Sequence, residues 1–352
     1  MNLFLDSPYL QLFNEISPDI KVYIEPYMLN FKLPSGTSRG VLTQKKIWLI
    51  KSHQTTALGE CAPLAGLSID ALPNYDEILN EVCVHFNNRD VYKWISAMKT
   101  MPSVAFGFEI FLLDAMNKGT QILFDTDFVQ KNDPVPINGL VWMGSKEQMK
   151  TEIKQKIEAG YTCIKLKIGA IDFEAEIDLL KEMRKSFGSE TLEIRVDANG
   201  AFGVDAAEKL QKLSTYHLHS IEQPIAPHQH EAMRQLCAAT PLPIALDEEL
   251  IFCKSHQKSE LLAYIKPQYV VLKPSLLGGF AQTQDWINQA HSQNIGWWIT
   301  SALESNIALN ALAQFAYTLQ PKMPQGLGTG QLFTNNFEQF LMRIQNGKLY
   351  YR

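Results

Sequence analysis

The sequence Cys163-Ile-Lys-Leu-Lys-Ile-Gly169 opens a stretch in which five short apolar segments each carry charged residues at or near their ends. The other four segments are Glu193-Ile-Arg-Val-Asp-Ala-Asn199, Ser220-Ile-Glu-Gln-Pro224, Ile244-Ala-Leu-Asp-Glu248 and Tyr269-Val-Val-Leu-Lys-Pro-Ser275. Asp197, Glu222 and Asp247 are spaced 25 residues apart, and Lys273 follows after 26 more. Each interval has the length of one strand, one helix and two short loops. The spacing therefore predicts successive βα units of a parallel sheet.

The alternation of strands and helices extends beyond this stretch in both directions. It begins with Ile137-Asn-Gly-Leu-Val-Trp142 and ends with Gly296-Trp-Trp-Ile-Thr-Ser301 and Gln325-Gly-Leu-Gly328. Eight strands with seven intervening helices fit a closed barrel better than an open doubly wound sheet. We therefore predict an α/β fold in which residues 130–332 form a (β/α)7β TIM-like barrel.

The first 129 residues have a different pattern. The segment Asp19-Ile-Lys-Val-Tyr-Ile-Glu25 alternates between apolar and polar residues, which is typical of a strand with one solvated face. Residues 102–117 are apolar nearly all round, as in a helix buried on several sides. This order predicts a separate N-terminal α+β domain of residues 1–129, against which the C-terminal tail of residues 333–352 packs.

Composition excludes several classes of function. A net charge of −5 without a basic run argues against a nucleic-acid partner. No window of 18 uninterrupted apolar residues is present, so a membrane span is not expected. Five irregularly spaced cysteines form neither a disulfide framework nor a zinc motif. We expect a cytoplasmic protein that acts on a small molecule.

Side-chain alternation predicts where the charges of the first segment point. Ile164, Leu166 and Ile168 share one face of the strand, and Lys165 and Lys167 share the other. The apolar face belongs against the surrounding helices. Both lysines are therefore predicted to point towards the barrel axis, near the end of the strand where active sites of this architecture form.

The same alternation applies to the later strands. Asp197 and Asn199 are predicted to point inwards, with Arg195 deeper in the barrel, and Asp247 and Lys273 follow by analogy. Each residue has an ordinary structural explanation: a turn at Asp197, a helix N-cap at Asp247, or solvated lysines on an edge strand. Six charges at one end of one sheet are better explained by a common function, because unpaired buried charges are costly.

Three carboxylates without a cysteine or histidine form an oxygen-only site, which favours Mg²⁺ with Mn²⁺ as a substitute. Lysines on both sides of such a cation suit the removal of a proton next to a substrate carboxylate. A lysine that acts as the base must be neutral, so its pKa must be lowered from about 10.4 towards about 7–8. The neighbouring ammonium of Lys165 and the cation would both lower the pKa of Lys167.

The complete set of motifs resembles the enolase superfamily, specifically its muconate-lactonising-enzyme-like subgroup. The motifs are Lys-x-Lys at 165–167, Asp-x-Asn at 197–199, Glu-x-Pro at 222–224, Asp-Glu at 247–248 and Lys-Pro at 273–274. The resemblance covers nearly the whole chain and implies that residues 1–129 are a capping domain completed by residues 333–352. It further implies that Asp197, Glu222 and Asp247 bind Mg²⁺, that Lys167 is the acid/base assisted by Lys165, and that Lys273 faces Lys167 across the substrate.

The segments that follow the last two predicted strands reduce the number of possible substrate classes. Members that use a His-Asp pair do not fit Thr300-Ser-Ala-Leu-Glu304, and dipeptide epimerases carry Asp-x-Asp where this chain has Gly328-Thr-Gly330. The segments Thr300-Ser-Ala-Leu-Glu-Ser-Asn306 and Pro324-Gln-Gly-Leu-Gly-Thr-Gly330, with Gly36-Thr-Ser-Arg-Gly40, resemble those of members that dehydrate a succinyl-bearing cyclohexadiene carboxylate in menaquinone biosynthesis. N-acylamino acid racemisation, muconate cycloisomerisation and a catalytically inactive metal-binding protein remain alternatives. Candidate substrate contacts are Asn199, Ser301, Gly328 and Arg39, the last on a loop predicted to close over the mouth of the barrel.

Overall fold

The N-terminal part of the chain forms an antiparallel sheet that packs on helices. The computed structural model describes residues 8–37, 40–169, 172–340 and 342–351. The sheet has the order β1-β2-β3, with β1 at Val22–Thr37, β2 at Gly40–Ser52 and β3 at Gly59–Cys61. Its helices are α1 (Pro8–Glu15), α2 (Tyr75–Asn87), α3 (Val91–Met98) and α4 (Pro102–Met116), followed by the short α5 (Asp127–Gln130). As predicted, α4 is buried on nearly all sides, because it lies between this sheet and the remainder of the chain.

The rest of the described chain is built on a seven-stranded parallel sheet. After β4 (Val135–Pro136), its strands in sequence and spatial order are β5 (Gly139–Val141), β6 (Cys163–Lys167), β7 (Glu193–Asp197), β8 (Ser220–Glu222), β9 (Ile244–Leu246), β10 (Tyr269–Leu272) and β11 (Gly296–Ile299). The helices that follow these strands are α6 (Lys146–Glu158), α7 (Phe173–Ser186), α8 (Ala206–Ser214), α9 (His230–Ala239), α10 (Glu248–Ile251), α11 (Lys258–Ile265), α12 (Pro274–Leu277), α13 (Gly279–Ser292) and α14 (Asn306–Thr318). Three single 3₁₀ turns lie at Ser255–Gln257, Thr329–Gln331 and Glu338–Phe340.

The barrel is closed by a very short eighth segment. Gln325 bridges Ile137 and Gly326 bridges Thr300, both in parallel orientation, so residues 325 and 326 join the first and last strands of the sheet. The preceding residue is Pro324, which has no N–H to extend the ladder. These contacts confirm the predicted α/β fold, a (β/α)7β TIM-like barrel with an N-terminal α+β domain.

The predicted alternation of strand faces is confirmed on β6. Ile164, Leu166 and Ile168 belong to the apolar core between the strands and the helices, and each is at most 1% exposed. Lys165 and Lys167 point the other way and contact residues of the neighbouring strands. The opposite face of the barrel wall is therefore polar at its carboxyl end, because the apolar residues are used against the helices.

Arg195 lies deeper in the barrel, as predicted, and is fully buried. Its guanidinium donates to Glu193 Oε1 at 2.7 Å and to the carbonyl oxygen of Pro324 at 3.0 Å. It also lies 4.3 Å from the ring centroid of Trp298. These contacts stabilise the buried charge and fill the bottom of the barrel beneath the site.

The C-terminal tail contacts both parts of the molecule. Phe333 bridges Phe31 of β1, whereas β12 (Arg343–Gln345) and β13 (Lys348–Tyr350) form a hairpin in which β13 pairs with β4. The boundaries at residues 129 and 333 stay predictions. The predicted loop of residues 36–40 begins and ends within a hairpin, because β1 continues to Thr37 and β2 begins at Gly40, with a register shift between Asn30 and Ser35. Arg39 lies outside the described residues.

Among the described residues, every helix is too short or too polar to cross a lipid bilayer.

A buried acid of α4 fixes the start of α13. Glu109 accepts hydrogen bonds from the backbone N–H groups of Phe280 and Ala281. Gly279 directly precedes these two residues and has a φ of +88°. A Cβ added at this position would overlap the Glu109 carboxylate. Only glycine fits this position without strain.

We expect Gly279→Ala to lower the free energy of unfolding by about 1–3 kcal/mol, because it combines backbone strain with overlap at a buried charge. Thermal unfolding followed by circular dichroism measures the effect. Gly203→Ala is the matched control, since the nearest atom to a Cβ there lies 4.0 Å away. Equal melting temperatures for the two variants would contradict the proposed strain.

Candidate active site

Three acidic residues converge at the carboxyl ends of adjacent strands. Asp197 ends β7 and Glu222 ends β8, and the two residues are register partners; Asp247 directly follows β9. All three side chains are buried, and one carboxylate oxygen from each lies within 4.8 Å of the others. The structure therefore brings together the three acids that the sequence spacing predicted.

The three predicted lysines surround these acids. Lys165 Nζ donates to Asp197 Oδ2 at 3.1 Å and to Glu222 Oε2 at 2.7 Å. Lys167 Nζ donates to Asp197 Oδ2 at 2.6 Å, and Lys273 Nζ donates to Asp247 Oδ2 at 2.5 Å from the other side of the barrel. Amines and carboxylates thus alternate around the mouth of the barrel, which stabilises charges that would be very costly if buried alone.

The protonation of the cluster reflects burial and mutual attraction. Burial acts to lower the pKa of Lys165, but the carboxylates of Glu222 and Asp197 outweigh it and raise that pKa well above its ordinary value. Burial acts to raise the pKa of Asp197, but Lys167 and Lys165 outweigh it and hold that pKa well below its usual range. Burial raises the pKa of Glu222 to about 7, and the charges of Asp197 and Asp247 add to the rise while Lys165 opposes it.

The acids fit a divalent cation. Glu222 Oε1 is buried and has no hydrogen-bond partner within the described chain, whereas Oε2 of the same carboxylate accepts from Lys165. A buried carboxylate oxygen without a partner is uncommon and indicates a missing ligand. Three oxygen donors from adjacent strands are what a hard divalent cation prefers, and such a cation would relieve the crowding of negative charge.

Asn199 and Glu248 orient the amine of Lys167. Lys167 Nζ donates to Asn199 Oδ1 at 2.8 Å, and Asn199 Nδ2 donates to Glu248 Oε1 at 3.0 Å. Asn199 has a φ of +45°, a conformation that asparagine tolerates better than most residues. The chain Lys167–Asn199–Glu248 therefore restrains the position of the Lys167 amine.

Gln223 connects the ends of β8 and β9. Its Oε1 accepts hydrogen bonds from the backbone N–H of Asp247 at 3.1 Å and of Glu249 at 3.3 Å. Its φ is +36°, an unusual conformation for glutamine, and the side chain is fully buried. Such backbone strain persists only where surrounding contacts hold the residue in place. Here the hydrogen bonds of the Gln223 side chain fix the position of Glu222 relative to Asp247.

The three lysines line a cavity at the carboxyl end of the barrel. Its wall contains residues from six segments of the barrel and from the N-terminal domain: Leu64, Leu67, Asn138, Leu140, Trp142, Lys165, Lys167, Asn199, Lys273, Thr300, Ser301, Ala302, Leu303, Gly326, Gly328 and Thr329. The predicted contacts Asn199, Ser301 and Gly328 all lie in this wall. Ser301 Oγ and Thr329 Oγ1 are 2.7 Å apart and form a pair of hydroxyls in the same wall.

The N-terminal domain shapes one side of this cavity. Lys45 of β2 is buried and donates to the carbonyl oxygen of Ala302 at 2.8 Å. Glu60 of β3 accepts from the backbone N–H groups of Ser305 at 2.8 Å and Ala308 at 3.0 Å, at the start of α14. Two buried charges of one domain therefore fix the loop after β11 in the other domain.

The comparisons with known proteins agree with this geometry. Residues 148–350 match the family described as enolase C-terminal domain-like. An o-succinylbenzoate synthase from Desulfotalea psychrophila is 44% identical over 347 residues, covering 88% of this chain and 93% of the relative. The chain belongs to the o-succinylbenzoate synthase family of the enolase superfamily.

The chain is also similar to a solved structure of this family and to a more distant relative. The crystal structure of MenC from Desulfotalea psychrophila aligns with a TM-score of 0.81 at 39% identity, covering 94% of this chain and 99% of that one. An N-succinylamino acid racemase from Amycolatopsis is 24% identical over 80% of this chain and 80% of the relative. The relatives of this chain therefore include a protein that is named for a different reaction.

Several residues of the site were missed by sequence reasoning. Asn138, Leu140 and Trp142 lie on one face of the first barrel segment, and alternation along residues 137–142 could have identified them. Leu64 and Leu67 come from a loop of the N-terminal domain. No local pattern shows that this loop reaches the cavity, because its position depends on how the two domains pack.

Proposed function

We propose that this chain is an o-succinylbenzoate synthase, a hydro-lyase of menaquinone biosynthesis. It would remove water from 2-succinyl-6-hydroxy-2,4-cyclohexadiene-1-carboxylate to give 2-succinylbenzoate. The observation that carries the proposal is the 44% identity to a relative of that name over 93% of the relative's length. Three lysines line one cavity, and each is bound to one or two of the three converging carboxylates, which supports the proposal.

The residues that would hold the cation are Asp197, Glu222 and Asp247, and we propose Mg²⁺ with Mn²⁺ as a substitute. Their oxygen-only donor set and the partnerless Glu222 Oε1 support this choice. When bound, the cation supplies electrostatic stabilisation of the negative charge that develops on the substrate carboxylate. Lys165 lies between Asp197 and Glu222, contacts both carboxylates and so sets the spacing between them.

Lys167 is the proposed acid/base. It lines the cavity with 14% of its side chain exposed, and Asn199 orients its amine. The neutral amine takes the proton from the ring carbon next to the carboxylate. The resulting ammonium then gives a proton to the hydroxyl group that leaves from the same face, so the C–H and C–O bonds break and one water is released. One lysine can serve both steps only if the elimination is syn.

Lys273 supports the reaction from the opposite wall of the cavity. Burial acts to lower its pKa, but the Asp247 carboxylate outweighs it and raises the pKa above its ordinary value. The amine therefore stays an ammonium while the Lys167 amine cycles. A fixed positive charge there stabilises the electron-rich ring before the hydroxyl leaves.

The succinyl group is assigned to the wall formed by the last two strands. Ser301 and Thr329 place their hydroxyls there, and Gly328 leaves room because it has no side chain. Asn199 is assigned to the ring end of the substrate, next to Lys167. The contact of Arg39 with the substrate stays a prediction.

We also propose the division of the chain that the sequence predicts. A capping domain of residues 1–129, completed by residues 333–352, would cover a barrel of residues 130–332. The contact of Phe333 with Phe31 and the buried Lys45 support this division.

All five cysteines are free, which supports a reducing, cytoplasmic location.

An absorbance assay tests the proposed reaction. The purified protein is incubated with the cyclohexadiene substrate and Mg²⁺, and the ultraviolet spectrum follows formation of the aromatic product. An N-succinyl amino acid is tested in parallel by loss of optical rotation, since one relative is an N-succinylamino acid racemase. Turnover of the amino acid without dehydration would replace the proposal with racemisation.

Chelation of divalent cations is expected to abolish the dehydration. Without the cation, nothing held by the three buried acids stabilises the negative charge that develops on the substrate carboxylate. The rate should therefore fall at least about 10²-fold. Activity is measured after dialysis against a chelator and again after addition of Mg²⁺, Mn²⁺ or K⁺. Recovery with K⁺ alone, or full activity in the chelator, would contradict a divalent site.

A further inference from the structure

A second group of metal-binding side chains lies outside the cluster of acids and lysines. One ligand atom from each of His228, His230 and Glu249 lies within 4.8 Å of the other two. These residues line a separate cavity of about 240 Å³, which also contains Phe252 and Tyr264. None of the three residues has a part in the proposed dehydration.

The fold brings this group together through two adjacent strands. His228 lies in the segment that joins β8 to α9, and His230 is the first residue of α9. Glu249 lies in α10, directly after β9. Because β8 and β9 are hydrogen-bonded neighbours, the segments that follow them meet at the rim of the barrel.

The Glu249 carboxylate is held in place before any ligand binds. It is only 2% exposed, and its Oε1 accepts a hydrogen bond from the backbone N–H of His228 at 2.8 Å. Its Oε2 accepts from Gln223 Nε2 at 3.3 Å. Hydrogen bonds of this kind orient the side chains that bind the ion in metal sites. The two histidine side chains are solvent-accessible, so they can rotate towards a shared cation.

We propose that His228, His230 and Glu249 bind a zinc-type divalent cation, with water in the fourth position. Two imidazoles and one carboxylate form a donor set used by zinc, and the adjoining cavity leaves space for the remaining ligand. His230 Nε2 and Glu249 Oε1 are 2.8 Å apart. Zinc–ligand bonds of about 2.0–2.1 Å in a tetrahedron place donor atoms about 3.3 Å apart, so the pair must separate by only about 0.5 Å.

The two sites select different metals. Nitrogen donors favour zinc, cobalt and nickel over Mg²⁺, whereas the acids in the barrel offer oxygen only. Gln223 links the sites, because it contacts both Glu249 and the backbone N–H of Asp247. Zinc bound at the rim would therefore restrain the segment that carries Asp247 without entering the substrate cavity.

The competing explanation is an ordinary ion pair between His230 and Glu249 at the start of α9. Zinc titration separates the two explanations. The full-length protein is freed of metal, supplied with excess Mg²⁺ to occupy the acids of the barrel, and titrated with Zn²⁺ against a chromophoric chelator. Co²⁺ absorption provides an independent readout, because four-coordinate Co²⁺ bound through imidazole absorbs far more strongly in the visible range than octahedral Co²⁺ bound through oxygen.

We expect the wild-type protein to bind one Zn²⁺ in the presence of Mg²⁺. His228→Ala and His230→Ala should each weaken this binding at least about tenfold and remove the strong Co²⁺ bands. His53→Ala, which removes an exposed histidine of the N-terminal domain, should bind Zn²⁺ like wild type. Dehydration with Mg²⁺ should continue in all three variants, which shows that they are folded.

Two results would overturn the proposal. One is the absence of Zn²⁺ binding by the wild-type protein in excess Mg²⁺. The other is equal Zn²⁺ affinity in wild type, His228→Ala and His230→Ala, which would place the metal elsewhere. Neither result bears on the dehydration, which is measured separately with Mg²⁺.

Discussion

Lys167→Ala should lower kcat for the dehydration at least about 10³-fold, because the same amine removes the proton and delivers it to the departing hydroxyl. The other two lysines in the described part of the cavity wall are held by carboxylates and do not replace it. Lys165 is bound between Asp197 and Glu222, and Lys273 is bound to Asp247 on the opposite wall. Steady-state measurement of kcat with saturating Mg²⁺ provides the test.

The lysine variant must keep its cation site for this result to be informative. Mg²⁺ binding, measured by isothermal titration calorimetry, should be retained, because Lys167 is not one of the three acids and Lys165 still contacts two of them. Lys150→Ala is the matched control, since Lys150 forms an exposed ion pair with Glu182 on the outer helices. If Lys167→Ala turned over within about tenfold of the control, another group would be the base.

Asp197→Asn should weaken Mg²⁺ binding at least about 10²-fold. The substitution keeps the shape of the side chain but removes the charge on which Lys165 and Lys167 both converge. It also leaves two ammonium groups beside the remaining acids, and their positive charge further opposes a cation. Calorimetric titration of Mg²⁺ measures the change, and activity should fall in parallel.

An exposed aspartate serves as the control for this experiment. Asp205→Asn removes a carboxylate that pairs only with Lys209 on the surface of the barrel, and Mg²⁺ affinity should be unchanged. Unchanged affinity in Asp197→Asn itself would remove Asp197 from the ligand set. The remaining pair, Glu222 and Asp247, would then have to hold the cation without it.

The sequence predicted the charged part of the site because that part follows strand geometry. Asp197 and Glu222 end their strands and Asp247 directly follows the next one, and strand ends of a parallel sheet meet at one edge. The alternation on β6 likewise determined where Lys165 and Lys167 point. A rule that depends only on local periodicity was sufficient for these residues.

The same reasoning did not reach contacts that depend on how separate segments pack. Lys45 contacts a residue 257 positions later in the chain, and Leu64 reaches the same cavity from the N-terminal domain, so no local pattern connects either residue with the site. The eighth strand was predicted over residues 325–328, but only Gln325 and Gly326 form bridges, because closure requires little more than two backbone contacts. Gln223 and Glu248 were also missed, since their importance follows from side-chain partners rather than from position on a strand.

The attachment of the loop after β11 to Lys45 and Glu60 has a consequence for how new specificities arise. That loop contributes Ser301 and Leu303 to the cavity wall, yet its shape is dictated by a domain that supplies none of the reacting amines. Substitutions in β2 or β3 can therefore alter which carboxylic acids are accepted while the proton-transfer apparatus stays intact.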